Sequence, residues 1–278
     1  MIGPRHPSVK RLRRLARQRR DRSEQQAFVI EGWSLLDEAL RCGVSVEAVF
    51  AEPEADRALV ERARGSGAAI YELGSGTLAS ATDTMTPQPV AAIAQIEDTT
   101  LHAALDKGPR ASPGGASCSA VDAPRLDQVV VLVGVGDPGN LGTLLRSADA
   151  VGATLVVCCD NTVDPYGPKS VRASAGALFR VRVVRDAAGM AAVAALRRRG
   201  VACLGMVVRD GIPYDRIDLV RPWAIVLGNE THGLSETLRR QCDELITIPM
   251  HAPAESLNVG MAGTVVCFEA LRQRRARS

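Results

Sequence analysis

The stretch "VVVLVGVGDPGNLGTLLRSADAVGATLVVCCD", residues 129–160, indicates the fold most clearly. An apolar run leads into a glycine-rich turn, then a segment with helical spacing, then a second apolar run that ends at Asp160. Strands that are apolar along their whole length and alternate with helices are typical of a parallel sheet covered on both faces. The stretch therefore predicts a βαβ unit within an α/β domain.

The same alternation continues to the end of the chain. Further strands are predicted at "VACLGMVV", "WAIVLG" and "ELITIPM", and helices at "MAAVAALRRRG", "SETLRRQCD" and the C-terminus. We predict a parallel-sheet domain over residues 124–278 and expect the chemistry there. Residues 1–104 predict a smaller α/β domain, with strands at "AFVIEG", "VEAVFAE" and "PVAAIAQI". Residues 105–123 turn to Gly, Pro, Ser and Ala without periodicity, which is typical of a linker.

The bulk composition indicates a globular protein. The chain has 278 residues, of which 46% are hydrophobic and 23% charged, enough for two domains with cores. No apolar run reaches the roughly 20 residues that span a bilayer, and the start lacks the apolar segment of a signal peptide. Seven cysteines without a C-x-x-C pair favour reduced thiols in the cytoplasm. His and Cys never cluster at metal-ligand spacing, so we expect no metal.

A net charge of +3 conceals a basic N-terminus. Residues 1–22 contain nine Lys and Arg side chains against one acid, Asp21. Such a density favours contact with the phosphates of a nucleic acid, although a solvated helix face is the simpler alternative. The candidate RNA-binding residues of this segment are Arg11, Arg13, Arg14 and Arg17.

The turn after the first strand also matches a dinucleotide fingerprint. Gly134, Gly136 and Gly139 follow the G-x-G-x-x-G spacing, and Asp160 ends the next strand. However, Pro138 has no amide to offer a pyrophosphate, and Asp137 places a negative charge beside it. A nicotinamide-dependent oxidoreductase is therefore the weaker alternative.

Three segments resemble the successive motifs of the SpoU (TrmH) family of RNA ribose 2′-O-methyltransferases, in the SPOUT superfamily. They are "DPGNLGTLLRSADAVGA", "AIVLGNETHGLS" and "LITIPMHAPAESLNVGMAGTVVCFEALRQ", in the family's order. The N-terminal "FVIEGWSLLDEAL" and "TDTMTPQPVAAIAQ" resemble the family's ribosomal-protein-like substrate-binding domain. The resemblance implies S-adenosylmethionine as the methyl donor, a deep trefoil knot in the C-terminal domain, and a homodimer with the knot region at its interface.

By the same resemblance, the ends of two strands and the start of the last helix form the cofactor pocket. The implied cofactor-binding residues are Leu227, Gly228, Ile248, Met250, Leu257 and Asn258. Gly228 would let the chain approach the ligand. Gly260, Ala262 and Gly263 would keep one side of the last helix thin, so that another backbone can approach it.

The resemblance implies five catalytic residues, namely Arg146, Asn140, Glu230, Ser256 and Asn258. Arg146 is the family's general base, but guanidinium groups stay protonated in proteins, so stabilising a developing alkoxide is the alternative. Asn140 either caps a helix or holds the ribose or Arg146. Glu230 either pairs with Arg146 or caps a helix near Leu234.

Several further assignments stay open at this point. Ser256 either caps the last helix or joins Asn258 in orienting the nucleophile, and His232 and His251 are alternative bases. Lys169 and Arg172 are candidate RNA contacts. The substrate implied is RNA, with 23S ribosomal RNA first and transfer RNA second. A non-catalytic RNA-binding protein is a further alternative.

Overall fold

The computed structural model describes residues 1–82, 87–97, 99–106, 128–251 and 256–277. The predicted linker, from residue 107 onward, and most of the loop "HAPAES" lie outside these ranges. The chain divides into two compact units. The first unit contains the described residues of 1–97 together with Tyr166–Phe179, and the second contains the rest.

The elements alternate along the chain, as the sequence pattern predicts. The helices are α1 (Pro7–Arg17), α2 (Arg19–Gln25), α3 (Trp33–Arg41), α4 (Arg57–Gly65), α5 (Thr77–Ala81), α6 (Leu101–Asp106), α7 (Pro138–Val151), α8 (Pro168–Ala173), α9 (Ala177–Arg180), α10 (Gly189–Arg198), α11 (Glu236–Gln241) and α12 (Val259–Arg277). The strands are β1 (Ala27–Glu31), β2 (Val46–Ala51), β3 (Ala69–Glu72), β4 (Val90–Gln95), β5 (Gln128–Leu132), β6 (Leu155–Cys159), β7 (Val183–Ala187), β8 (Ala202–Met206), β9 (Ile212–Pro213), β10 (Trp223–Leu227) and β11 (Glu244–Thr247).

The first unit is built on a four-stranded sheet of order β1-β4-β2-β3. β4 runs antiparallel to both β1 and β2, whereas β3 is parallel to β2. Alternate residues of β1 point to opposite faces of the sheet, and a different segment packs against each face. Val29 packs with Leu12 and Leu15 of α1, while the Phe28 ring lies 5.1 Å from that of Tyr166. The segment Tyr166–Phe179 therefore belongs to this unit, which the sequence pattern did not indicate.

The basic helix α1 is amphipathic. His6 caps it by accepting a hydrogen bond from the Ser8 N–H, and Pro7 occupies the first turn, where a missing N–H costs nothing. Val9, Leu12 and Leu15 are fully buried at helical spacing. The helix thus uses its apolar side for packing, and its arginines surround that side.

The second unit contains a seven-stranded sheet of order β7-β6-β5-β10-β8-β11-β9. Every neighbouring pair is parallel, which confirms the predicted α/β class. β8 lies between β10 and β11, although it precedes both in the chain. The carboxyl ends of these three strands consequently meet at one edge, where open α/β sheets bind their ligands.

Helix α12 packs closely against α7, as its small residues predict. A Cβ added at Gly263 would lie 2.3 Å from Leu144 Cδ2, and one at Gly260 would lie 3.4 Å from the Asn140 Cα. The Ser147 and Thr264 hydroxyls share a hydrogen bond of 2.7 Å between the two helices. The knot stays a prediction, because residues 252–255 ahead of α12 are outside the described ranges.

The described cysteines do not form disulfides with one another. Burial raises the pKa of the thiols of Cys159, Cys203 and Cys267 to about 12, so these groups stay protonated at neutral pH. None of the helices in the described ranges is both long enough and apolar enough to cross a bilayer.

Candidate active site

A pocket of about 470 Å³ opens at the carboxyl ends of β8, β10 and β11. Its wall includes the loop after β10 and the residues that lead into α12. All six residues expected to bind the cofactor line it, namely Leu227, Gly228, Ile248, Met250, Leu257 and Asn258. Ser256 and Glu230 line the same pocket, whereas Asn140 and Arg146 do not.

Gly228 is required by the protein's own backbone. A Cβ at this position would lie 2.3 Å from the carbonyl carbon of Gly233 and 2.5 Å from the Leu234 nitrogen. The expectation that Gly228 makes room for the ligand is thus incomplete, because the loop 229–233 folds back over it. This loop is a tight turn in which the Gly233 N–H donates to the Asn229 carbonyl over 2.9 Å.

Asn258 caps the C-terminal helix. Its Oδ1 accepts hydrogen bonds from the N–H groups of Gly260, at 2.8 Å, and Met261, at 3.3 Å. The suggestion that Ser256 caps this helix is wrong, since the capping carboxamide belongs to the residue next to α12. Ser256 is exposed and faces the pocket.

The cap of α7 also differs from the expectation. Asp137 accepts a 2.8 Å hydrogen bond from the Asn140 N–H, so Asp137 is the N-cap and Asn140 lies inside the first turn. This leaves the Asn140 side chain available for another contact. It is 8% exposed, and its Nδ2 donates to Glu230 Oε1 over 2.9 Å.

Glu230 connects the pocket loop to the start of α7. Besides Asn140, the N–H groups of Gly136 and Asp137 donate to its carboxylate over 3.2 and 3.3 Å. Burial alone would raise the pKa of Glu230, but these hydrogen bonds to the charged form outweigh it and hold the pKa below its usual value. Neither anticipated role is observed: among the described residues Glu230 has no ion pair with Arg146, and Ser235 caps α11.

Arg146 lies two turns further along α7 and is exposed. Within the described part of the chain it forms no hydrogen bond and no ion pair. Its guanidinium is therefore available to a molecule outside this chain. It neither contacts Asn140 nor reaches the pocket wall.

The pocket also contains residues that the sequence analysis missed. Met206, Val207 and Val208 form a wall at the end of β8. Asn229 joins two loops, because its Nδ2 donates to the Gly134 carbonyl over 2.8 Å and its Oδ1 accepts from the Thr231 N–H. Arg239 of α11 contributes a guanidinium to the described wall. The Asn-Glu pair after an apolar strand was visible in the sequence, but the partners of Asn229 were not.

Some of the candidate RNA-binding side chains form contacts within the protein, whereas others are exposed. Arg11 forms a 2.7 Å ion pair with Glu47, and Arg13 donates to the Ser80 carbonyl over 3.1 Å. Arg172 binds the Glu31 carboxylate at 2.5 Å. By contrast, Arg14, Arg17 and Lys169 are exposed, and among the described residues their one ionic contact is a 3.9 Å approach of Arg14 to Asp21. The charged groups of these three residues can therefore bind phosphates.

The geometry argues against a dinucleotide at Gly134–Gly139. The Glu230 carboxylate already accepts the N–H groups of Gly136 and Asp137 that a pyrophosphate would need. His232 lines the pocket, whereas His251 does not. Among the described residues, no group of three His, Cys, Asp or Glu side chains is arranged to hold a metal ion.

Comparison with known proteins agrees with this arrangement. Residues 127–268 match the SpoU rRNA Methylase family, and residues 6–92 match an MRM3-like substrate binding domain. The 23S rRNA (guanosine(2553)-2′-O)-methyltransferase RlmP of Bacillus subtilis is 29% identical, over 90% of each chain. An uncharacterized tRNA/rRNA methyltransferase of Mycobacterium tuberculosis is 34% identical, over 99% of this chain and 83% of the relative.

A solved structure matches the chain over nearly its whole length. The SpoU methyltransferase AviRb from Streptomyces viridochromogenes, in complex with AdoMet, has a TM-score of 0.78 at 27% identity, over 98% of this chain and 100% of that one. The chain belongs to the SpoU rRNA methylase family, and its cofactor is S-adenosylmethionine.

The pocket suits this cofactor by size and by chemistry. Its volume lies within the roughly 300–1,000 Å³ of small-molecule sites. Leu227, Ile248 and Leu257 give the wall apolar surface of the kind that an adenosine requires, and the turns at the strand ends carry backbone donors and acceptors of the kind that recognise an adenine edge. The described wall lacks the cluster of cations that a phosphate ligand would need.

Proposed function

We propose that the protein transfers the methyl group of S-adenosylmethionine to a ribose 2′-hydroxyl of ribosomal RNA, with 23S ribosomal RNA as the substrate. Family membership supports the reaction class. The RlmP relative, matched over 90% of both chains, supports the 23S assignment. We place the reaction in the cytoplasm, the compartment that the expected reduced thiols favour.

The observation that carries the proposal is the link between the pocket and α7. Glu230 lines the pocket and binds Asn140 in the first turn of α7, the helix that also contains Arg146. A substrate held by α7 is therefore kept in register with the cofactor pocket by the Glu230 carboxylate, together with the packing of α12 against α7. Such fixed positioning of two reactants is a major source of rate acceleration.

S-adenosylmethionine supplies an electrophilic methyl group on its sulfonium when bound. The protein must hold the ribose oxygen in line with that methyl group and stabilise the negative charge that develops on the oxygen as its proton passes to a water molecule. Arg146 meets the second need, because a guanidinium is a permanent cation with several donors. We therefore assign Arg146 to stabilising the alkoxide and gripping a neighbouring phosphate, in preference to acting as a base.

We further propose that two copies pair and that Arg146 of one copy serves the pocket of the other. On α12, Met261 and Phe268 are 57% and 47% exposed and are separated by two helical turns, with Val265 between them. Exposed apolar residues along one stripe favour a protein partner. A second copy seated there would lie beside Arg146, since α7 packs against α12.

Mixing two inactive variants tests the pairing. Arg146→Ala leaves the pocket intact, and Gly228→Ala is expected to damage it while leaving Arg146 in place. If Arg146 acts across the interface, mixed dimers regain one complete site, and roughly a quarter of wild-type activity returns after subunit exchange. No recovery, in a mixture shown to contain mixed dimers, would mean that Arg146 serves its own chain.

Methyl transfer to isolated RNA tests the function itself. The protein is incubated with methyl-labelled S-adenosylmethionine and unmodified 23S, 16S or transfer RNA. We expect label in 23S ribosomal RNA alone. Label in transfer RNA would support the tRNA alternative, and RNA binding without any label would indicate a non-catalytic RNA-binding protein.

A further inference from the structure

Arg239 is a half-buried cation in the pocket wall. It lies in α11, and its Nε donates a 3.0 Å hydrogen bond to the Leu234 carbonyl. Its Nη2 lies 3.7 Å from the position of a Cβ at Gly233. The Nε contact fixes the plane of the guanidinium against the loop 229–234, and it leaves the edge with the two Nη groups available.

The ionisable side chains of the pocket differ in the number of hydrogen-bond partners they have within the protein. Three ionisable side chains occur among its described residues, Arg239, Glu230 and His232. Glu230 accepts hydrogen bonds from Asn140 and two backbone N–H groups, as described above. By contrast, the Nη groups of Arg239 have no hydrogen-bond acceptor and no ion-pair partner within the described ranges.

The neighbouring Arg240 is an arginine of the same helix whose charge is paired within the protein. It forms an ion pair of 2.9 Å with Glu236 on the exposed side of the same helix. Arg239 instead lines a pocket whose remaining described wall is apolar or uncharged apart from Glu230 and His232. A guanidinium in that setting matches a planar anion, because its two Nη groups can donate in parallel to both oxygens of a carboxylate.

We propose that Arg239 binds the carboxylate of the methionine part of S-adenosylmethionine. This inference rests on the proposed pocket as the cofactor site and adds a residue that recognises the charged tail of the ligand. The adenosine would be held by apolar walls and backbone groups, whereas the tail would be held by this one cation. Arg239 then selects for the intact amino acid group of the donor.

The test compares two ligands that differ only in that group, S-adenosylmethionine and its decarboxylated form. Their dissociation constants are measured by calorimetry with wild-type protein, Arg239→Gln and, as a matched control, Arg240→Gln. We expect wild type and Arg240→Gln to prefer the carboxylate-bearing ligand. In Arg239→Gln that preference should shrink by at least about tenfold, the effect expected of a charge-assisted bidentate contact. Arg239→Lys keeps the positive charge but loses the two parallel Nη donors, and it should retain part of the preference.

Each other result would overturn the inference in a recognisable way. An unchanged preference in Arg239→Gln would show that the carboxylate binds elsewhere. Equal weakening of both ligands would reduce Arg239 to a support for the loop 229–234, and weakened RNA binding with an unchanged ligand preference would make it an RNA contact. If wild-type protein binds neither ligand, the pocket assignment itself fails, which is distinguishable from a fault at Arg239.

Discussion

At the scale of single residues, Arg146 has the clearest expected phenotype. It is exposed, lies outside the pocket wall and has no partner among the described residues. Arg146→Ala should therefore keep the affinity for S-adenosylmethionine and lower methyl transfer by at least about a hundredfold, the usual cost of losing a preorganised charge-stabilising group. Calorimetry and labelled transfer measure the two effects, with the exposed Arg198→Ala as control. Unchanged turnover would remove Arg146 from the mechanism.

Glu230 should make part of the stability depend on pH. Its pKa is held below the usual value in the folded protein, so its contribution is complete above the ordinary glutamate pKa and is lost as the pH falls through the folded value. In Glu230→Gln, an amide NH₂ faces donors of the loop 136–137, which lowers the free energy of unfolding at pH 7 by up to about 1 kcal/mol, discounted for exposure. Urea unfolding at pH 7 and pH 4 should show this difference shrinking at the lower pH. A difference that grows on acidification would contradict the account.

The residues of the site were predictable from the sequence only in part. The family motifs indicated the six pocket residues, because the motifs place these residues at the ends of two strands and at the start of the last helix. The partners of Glu230 and Asn229 were not predictable. Gly134, Gly136 and Asn140 lie about 90 residues earlier, and nothing local indicates which loop a carboxylate will meet.

At the scale of elements, the contact of α12 with α7 is set by glycine. Gly263→Ala would add a methyl group 2.3 Å from Leu144 Cδ2 and 2.9 Å from Leu227 Cδ1. Overpacking of this kind costs about 1–3 kcal/mol. The same change at Gly65 of α4, where an added Cβ would meet nothing within 4 Å among the described residues outside its own turn, should be neutral or slightly stabilising because alanine favours the helix. Thermal unfolding of the two variants checks the contrast, and equal midpoints would contradict the close packing.

Helix α1 should bind RNA through its exposed cations rather than through the whole basic segment. Arg14→Gln with Arg17→Gln removes two exposed charges, whose one ionic contact among the described residues is the 3.9 Å approach of Arg14 to Asp21. RNA affinity should therefore fall, and its salt dependence should flatten by about 1–2 units of log–log slope. Arg41→Gln with Arg62→Gln, both paired with Asp37, is the control. Binding measured at several salt concentrations decides this. Identical slopes for the two double variants would assign α1 to ordinary surface.

Element types were well predicted, but their bounds were less so. Asn140 was a candidate cap, which would start helix α7 just after it, whereas the helix begins at Pro138 because Asp137 caps it and proline fits the first turn. The glycines there made the segment resemble a loop. Strand order was not predictable, since apolar runs show that strands are buried and do not show which strands are neighbours.

At the scale of the whole molecule, the position of β8 creates the pocket. This strand comes before β10 and β11 in the chain and yet lies between them, so Met206–Val208 join a wall that the motifs alone did not include. The assignment of Tyr166–Phe179 to the first unit was equally invisible, since its aromatic partners are distant in sequence. Periodicity is local, and these features depend on long-range topology.

The central claim concerns where the methyl group goes. The protein, methyl-labelled S-adenosylmethionine and unmodified 23S ribosomal RNA are incubated together, and the RNA is then hydrolysed in alkali, which cleaves only where a 2′-hydroxyl is present. The account predicts label in a single alkali-resistant dinucleotide, absent with Gly228→Ala, whose added Cβ meets the Gly233 backbone at 2.3 Å. Label on a base, or no label with wild-type protein that binds both substrates, would contradict it.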